Sequence, residues 1–129
     1  MSDRELLEMA AKAIGYSDVR VPYGSDKIHA WMPLPRSYNE IVGAYTVDYG
    51  HREWDPLNDD GDALRLAVSL RLTVYHDDLA VIIKHKRYSW EWLGEMINED
   101  NGDRDAATRR AIVRAAAEIG RQMQEGGAA

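Results

Sequence analysis

A chain of 129 residues, 45% of them apolar, is sized for one domain whose folding buries roughly two-thirds of the unfolded chain's surface. A net charge of −6 and a pI near 5.1 argue against broad, non-specific binding to DNA or RNA, which needs a basic field. The absence of cysteine excludes a disulfide framework and any thiolate metal site.

No apolar stretch approaches the ~20 residues that span a bilayer. The start, Met1-Ser2-Asp3-Arg4-Glu5, is too charged for a signal peptide, so a cytoplasmic protein with no membrane partner is expected. Phe is absent, while Trp numbers 4 and Tyr 7; these rings carry polar handles that suit a core edge or a binding surface.

From Asp3 to about Ile14, Leu6, Leu7, Met9, Ala10, Ala13 and Ile14 recur at helical spacing; Ser2 or Asp3 can cap this helix, and Gly15 can end it. Tyr16 to Pro35 is expected to be irregular or extended, broken by Pro22, Gly24, Pro33 and Pro35. Tyr38 to Tyr49 has β-branched and aromatic residues, with boundaries blurred by Gly43 and Gly50.

The run Trp54-Asp55-Pro56-Leu57-Asn58-Asp59-Asp60-Gly61-Asp62 then opens into a helix expected over Asp60–Leu70. Its apolar face is drawn from Leu64, Ala67 and Val68 with Ala63, Leu66 and Leu70, opposite Arg65 and Ser69. The acidic run invites a calcium reading. Aligning Gly61 with the glycine of an EF-hand loop, however, puts Pro56 at the first ligand position and Ala67 at the last, where oxygen ligands are required. A capped helix start with dipole-matched charge is the better reading.

Leu72–His76, the turn Asp77-Asp78 and Leu79–Lys84 are spaced as a hairpin. His76 and His85 face each other across it as a ligand pair only in some registers, and surface histidines are the default reading. Tyr88-Ser89-Trp90-Glu91-Trp92 either extends the sheet or starts a helix through Met96 and Ile97. As a strand it would align Tyr88, Trp90 and Trp92 on one face behind Lys84, Lys86 and Arg87, an aromatic-plus-basic pattern suited to a nucleotide. A sheet face packed under a helix is the competing reading.

Asn98 to Asp105 reads as an acidic loop, and Asp105 or Thr108 as the cap of a last helix from Ala106 to about Met123, with Ile112, Ala115, Ala116 and Ile119 as its apolar stripe. Arg110, Arg114 and Arg121 lie on one side of that helix with Arg109 nearby, and guanidinium forks suit phosphate. On spacing alone the favoured reading is a solvated face in which Glu118 pairs with Arg114.

The order predicts an α/β fold: a small α-β-α sandwich, an antiparallel or mixed sheet with helices packed on it, in a single domain over 1–125 with a frayed tail at 126–129. No Gly-x-Ser-x-Gly elbow, P-loop or dinucleotide fingerprint occurs, so neither a cofactor nor catalysis is expected.

Two segments carry a resemblance. Trp54–Leu57 with Asp59–Val68, and Ala111-Ile112-Val113-Arg114-Ala115-Ala116-Ala117, resemble the phage α-β-α (ABA) sandwich family, in the same order along the chain. The resemblance implies a bacteriophage protein acting in the bacterial cytoplasm. One form of this type is the Thoeris anti-defence sponge, which binds a cyclic ADP-ribose isomer or related cyclic nucleotide signal without cleaving it, through an aromatic ring and arginines. Arg114 is the position so implied; the aromatic is one of Tyr88, Trp90 or Trp92, and a homo-oligomer is expected. A protein–protein inhibitor of a host defence complex, anti-CRISPR-like, with acidic faces at Asp55–Asp62 and Glu99–Asp105, is the alternative.

Overall fold

Helix α1 (Asp3–Ala13) begins where Ser2 Oγ accepts the Glu5 backbone N–H at 3.2 Å. Asp3 and Glu5 in its first turn and Lys12 in its last match the helix dipole. It ends one residue ahead of expectation, before Gly15, whose φ of +79° is open to glycine at little steric cost. The computed structural model describes residues 1–41, 43–88 and 93–127 and, for residues 34–39, 44–49, 99–100 and 127, the backbone alone.

Strands β1 (Ser17–Arg20), β2 (His29–Asn39) and β3 (Ala44–Glu53) form an antiparallel sheet in that order. Pro33 and Pro35, expected to break the chain, lie inside β2. The pairing explains this. β1 reaches only from Ser17↔Trp31 to Arg20↔His29, so the prolines fall where β2 has β3 as its single neighbour, and the β2–β3 register shifts between Pro33 and Arg36. A missing N–H removes no ladder bond on an open edge.

Helix α2 (Asp60–Ser69) packs on the last helix and buries Ala63, Leu66 and Ala67. Its buried stripe is narrower than the apolar pattern: Leu64 and Val68 are 64% and 67% exposed. Next come β4 (Thr73–His76), β5 (Ala80–Lys84) and β6 (Gly94–Met96), a second antiparallel sheet in chain order. Gly94 sits against β5 so closely that a β-carbon there would stand 2.0 Å from the Val81 carbonyl oxygen.

A 3-10 turn over Ile97–Asp100 leads through Asn101 (φ 56°) and Gly102 into α3 (Arg104–Gly127). Asp103 caps it, Oδ1 accepting the Ala106 N–H at 3.1 Å. Neither expected residue does so: Asp105 lies in the first turn, and the Thr108 hydroxyl donates to the Arg104 carbonyl at 2.7 Å. The helix continues through Gly127, past the expected helix end near Met123.

Ile112, Ala115, Ala116 and Ile119 are buried as the stripe predicts. Helices α1 and α3 run parallel, because Asp3 meets Arg110, Met9 meets Gly120 and Lys12 meets Gln124 in step. Small residues (Ala10, Ala11, Ala107, Ala111, Ala115–Ala117) line the helical core and let these helices approach closely. Val81 and Ile83 of β5 and Trp54 join the same core, with the Tyr16 ring edge-on to Trp54 at 5.6 Å. The mixed α/β class with helices on antiparallel strands is as expected. Among the described residues, however, the strands form two three-stranded sheets rather than one. Each closes on local antiparallel neighbours, and α2 intervenes between them in the chain.

Candidate anion-binding groove

The acidic run is consumed by architecture. Asp59 Oδ2 accepts the Asp62 N–H at 2.8 Å, and Asp62 Oδ2 accepts the Asp55 N–H at 2.9 Å. Asn58 Nδ2 donates to Asp55 Oδ2 at 2.9 Å. Arg65 donates to Asp62 Oδ1 at 2.8 Å, a bond that raises the Arg65 pKa. The capping reading therefore describes this segment. Apart from Asp55 Oδ1, which is buried without a hydrogen-bond partner among the described residues, its carboxylates face donors of their own chain, which weakens the idea that they mimic nucleic-acid phosphates.

The arginines of α3 do not converge. Arg109 Nη1 pairs with Asp60 at 2.6 Å, and its Nε donates to the Leu57 carbonyl at 2.9 Å, fastening α3 to α2. Arg110 pairs with Asp3 of α1 at 3.1 Å. Arg114 Nη1 pairs with the buried Glu95 of β6 at 2.5 Å and reaches the Gly94 carbonyl at 3.3 Å. Arg121 pairs with Glu118 and Glu125 within its own helix. Glu118 thus serves Arg121 rather than Arg114. A guanidinium already paired with a carboxylate has its charge largely offset, which lowers its net gain from a phosphate.

Sheet geometry separates Lys84 from Arg114. Val81, paired with Glu95, and Ile83, paired with Val74, point to the covered face on which α3 lies. Lys84, paired with Thr73, and Ile82, paired with Tyr75, point to the opposite face. On that face Lys84 Nζ lies 5.1 Å from the centre of the Tyr75 ring. Tyr88 lies just past β5, its ring 5.0 Å from that of His85. Trp90 and Trp92 lie outside the described residues. His76 and His85 are not partners: His76 pairs with Val81 near the turn, and His85 follows the other end of β5.

An open groove of about 840 Å³ lies at the end of the hairpin away from its turn, lined by Arg71, Thr73, Lys84, His85, Lys86 and Arg87. Four of these six are lysine or arginine, and among the described residues none of the four has a carboxylate partner. His85 shapes the rim: its Nδ1 accepts the Arg87 N–H at 2.9 Å and lies 3.4 Å from that of Tyr88, closing a turn that presents Lys86 and Arg87 side by side.

Arg71 reaches the groove from a strained backbone. Helix α2 ends in a Schellman motif: the Leu72 N–H bonds to the Ala67 carbonyl at 2.9 Å and the Arg71 N–H to the Val68 carbonyl at 3.1 Å. The residue at the left-handed position is normally glycine. Here it is Arg71, at φ 54°. Sequence reasoning noted Lys84, Lys86 and Arg87 but not Arg71; the missing signal was an arginine directly after an apolar helix end, where glycine is the usual stop.

No family model, curated protein or solved structure matches this chain. No helix among the described residues is long and apolar enough to cross a membrane.

Proposed function

We propose that this chain is a binding protein for a phosphate-bearing small molecule, held in the groove of Arg71, Lys84, Lys86 and Arg87. The observation that carries the reading is the contrast within the molecule. Arg109, Arg110, Arg114 and Arg121 of α3 are matched to carboxylates, whereas these four cations line one concavity with no carboxylate partner among the described residues. A protein of net charge −6 attracts an anion only where its basic groups are focused, and this groove is such a focus. Sequestration of a cyclic ADP-ribose-type or cyclic nucleotide signal, without cleavage, is the form of this function that the family resemblance implies.

Calorimetry against cyclic ADP-ribose isomers, cyclic dinucleotides and ADP tests it, followed by recovery of the ligand after heat denaturation. Binding that is lost in the Lys86→Glu/Arg87→Glu variant, with the ligand recovered intact, supports sequestration at the groove. Binding that survives this variant and is lost in Arg114→Ala would move the site to α3. Recovery of a degraded ligand would make the protein an enzyme.

A further inference from the structure

The groove does not end at its cations. Lys84 also lines a second concavity of about 460 Å³ on the same open face, with Tyr75, His76, Asp77, Asp78 and Ile82. The two form one surface along the β4–β5 hairpin, graded in chemistry from end to end. Arg71, Lys86 and Arg87 stand at one end, the half-exposed Tyr75 ring beside Ile82 in the middle, and Asp77 and Asp78 at the turn. Resting on the groove reading above, we infer that the ligand is a mononucleotide-type molecule, its phosphate at the basic end and its base stacked on Tyr75.

Spacing supports this. Tyr75 pairs with Ile82 and Thr73 with Lys84, so Tyr75 and Lys84 are diagonal neighbours across the two strands, their backbone positions roughly 7–8 Å apart. One sugar bridges such a gap. In the structure Lys84 Nζ lies over the Tyr75 ring, where a base would stack. A base is the stronger occupant, since stacking exceeds a solvent-exposed cation–π contact. Displacing Lys84 also frees its ammonium to turn toward the phosphate, so ring and cation change partners together. The acidic end fixes direction and length. Asp77 and Asp78 accept hydrogen bonds from sugar hydroxyls or base amino groups but repel a further phosphate, so a polynucleotide cannot continue along the face.

The test compares ADP, pyrophosphate and a short oligothymidylate by calorimetry on the full chain, with Tyr75→Ala, Tyr75→Phe and Lys86→Glu/Arg87→Glu variants checked for folding by circular dichroism. ADP is expected to bind about tenfold or more tightly than pyrophosphate, the increment of one stacked base. Tyr75→Ala removes that preference, with pyrophosphate binding retained or tightened because Lys84 loses its ring partner, while Tyr75→Phe keeps the preference. Equal binding of ADP and pyrophosphate to the wild type overturns the inference and leaves the groove standing. Binding of neither, or binding indifferent to Lys86→Glu/Arg87→Glu, overturns the groove itself. An oligothymidylate that binds more tightly than ADP overturns the mononucleotide assignment in favour of a single strand.

Discussion

Gly120 of α3 faces the backbone of α1 so closely that a β-carbon at this position would stand 1.9 Å from the Met9 carbonyl oxygen. The obstacle is backbone, so no side chain can turn aside to make room. Gly120→Ala is expected to push the helices apart and to cost at least about 2 kcal/mol, within the range of overpacked cores. Urea denaturation of the two proteins measures it; an unchanged midpoint would show that α1 shifts freely.

Arg71 supports the groove at the expense of the fold. A non-glycine residue in the left-handed region is disfavoured by roughly 1–2 kcal/mol, part of which glycine returns through its more flexible unfolded chain. Arg71→Gly should therefore stabilise the protein by about 0.5–1 kcal/mol while weakening anion binding. A thermal melt and a pyrophosphate titration on the same variant check both signs.

The Arg114–Glu95 pair joins a half-exposed guanidinium to a carboxylate that is only 5% exposed. Arg114→Ala is expected to cost about 2 kcal/mol, the scale of losing a charged hydrogen bond to a buried group. Much of that should return in the Arg114→Ala/Glu95→Gln double variant, where no buried charge loses its partner. A double-mutant cycle by chemical denaturation gives the coupling.

Glu118 has its pKa lowered, chiefly by the hydrogen bond from Arg121 and further by one from Gln122. A depressed folded-state value means that the ionised form stabilises the fold. The contribution is fully present above the ordinary glutamate pKa and is lost as pH falls through the lower folded value. The stability difference between wild type and Glu118→Gln should accordingly be constant near neutrality and shrink below about pH 4.5. It is small, because solvent screens the pair.

Salt should act on the groove more than on the fold. Its cations line an open concavity, so anion affinity should drop several-fold between roughly 0.05 and 0.5 M salt as the Debye length contracts. Titrations at three ionic strengths measure the slope, and an affinity indifferent to salt would contradict an electrostatic site.

The elements legible in the sequence were those with a local cause. Ser2 and Gly15 bracket α1, Asp59 starts α2, and the Asp77-Asp78 turn sets the β4–β5 hairpin; each rests on residues within a few positions of one another. Pro33 and Pro35 misled because whether a proline is tolerated depends on how far β1 reaches, which is a tertiary fact. The α2 face misled in the same way: Leu64 and Val68 fit the helical pattern, but α3 covers only the side that carries Ala63, Leu66 and Ala67. The α3 arginines share a face by spacing, yet spacing does not report that Asp3, Asp60 and Glu95 arrive from three other elements to meet them. Lys84, Lys86 and Arg87 could be read in sequence; their meeting with Arg71 required the hairpin to return β5 beside the end of α2.

Because β1 pairs with β2 no further than Trp31, β2 and β3 continue beyond it as a two-stranded ribbon with no third strand alongside among the described residues. A lone pair of strands gains little stability of its own and draws it from the end that is anchored. Amide hydrogens should therefore exchange in a gradient rather than in one cooperative step: slowest at His29–Trp31, where β1 and the buried Ala30 hold the strand, and faster with each rung outward. The ribbon would then be a unit that opens without unfolding the rest of the protein, and proteolysis should cut it first and leave the helical core intact.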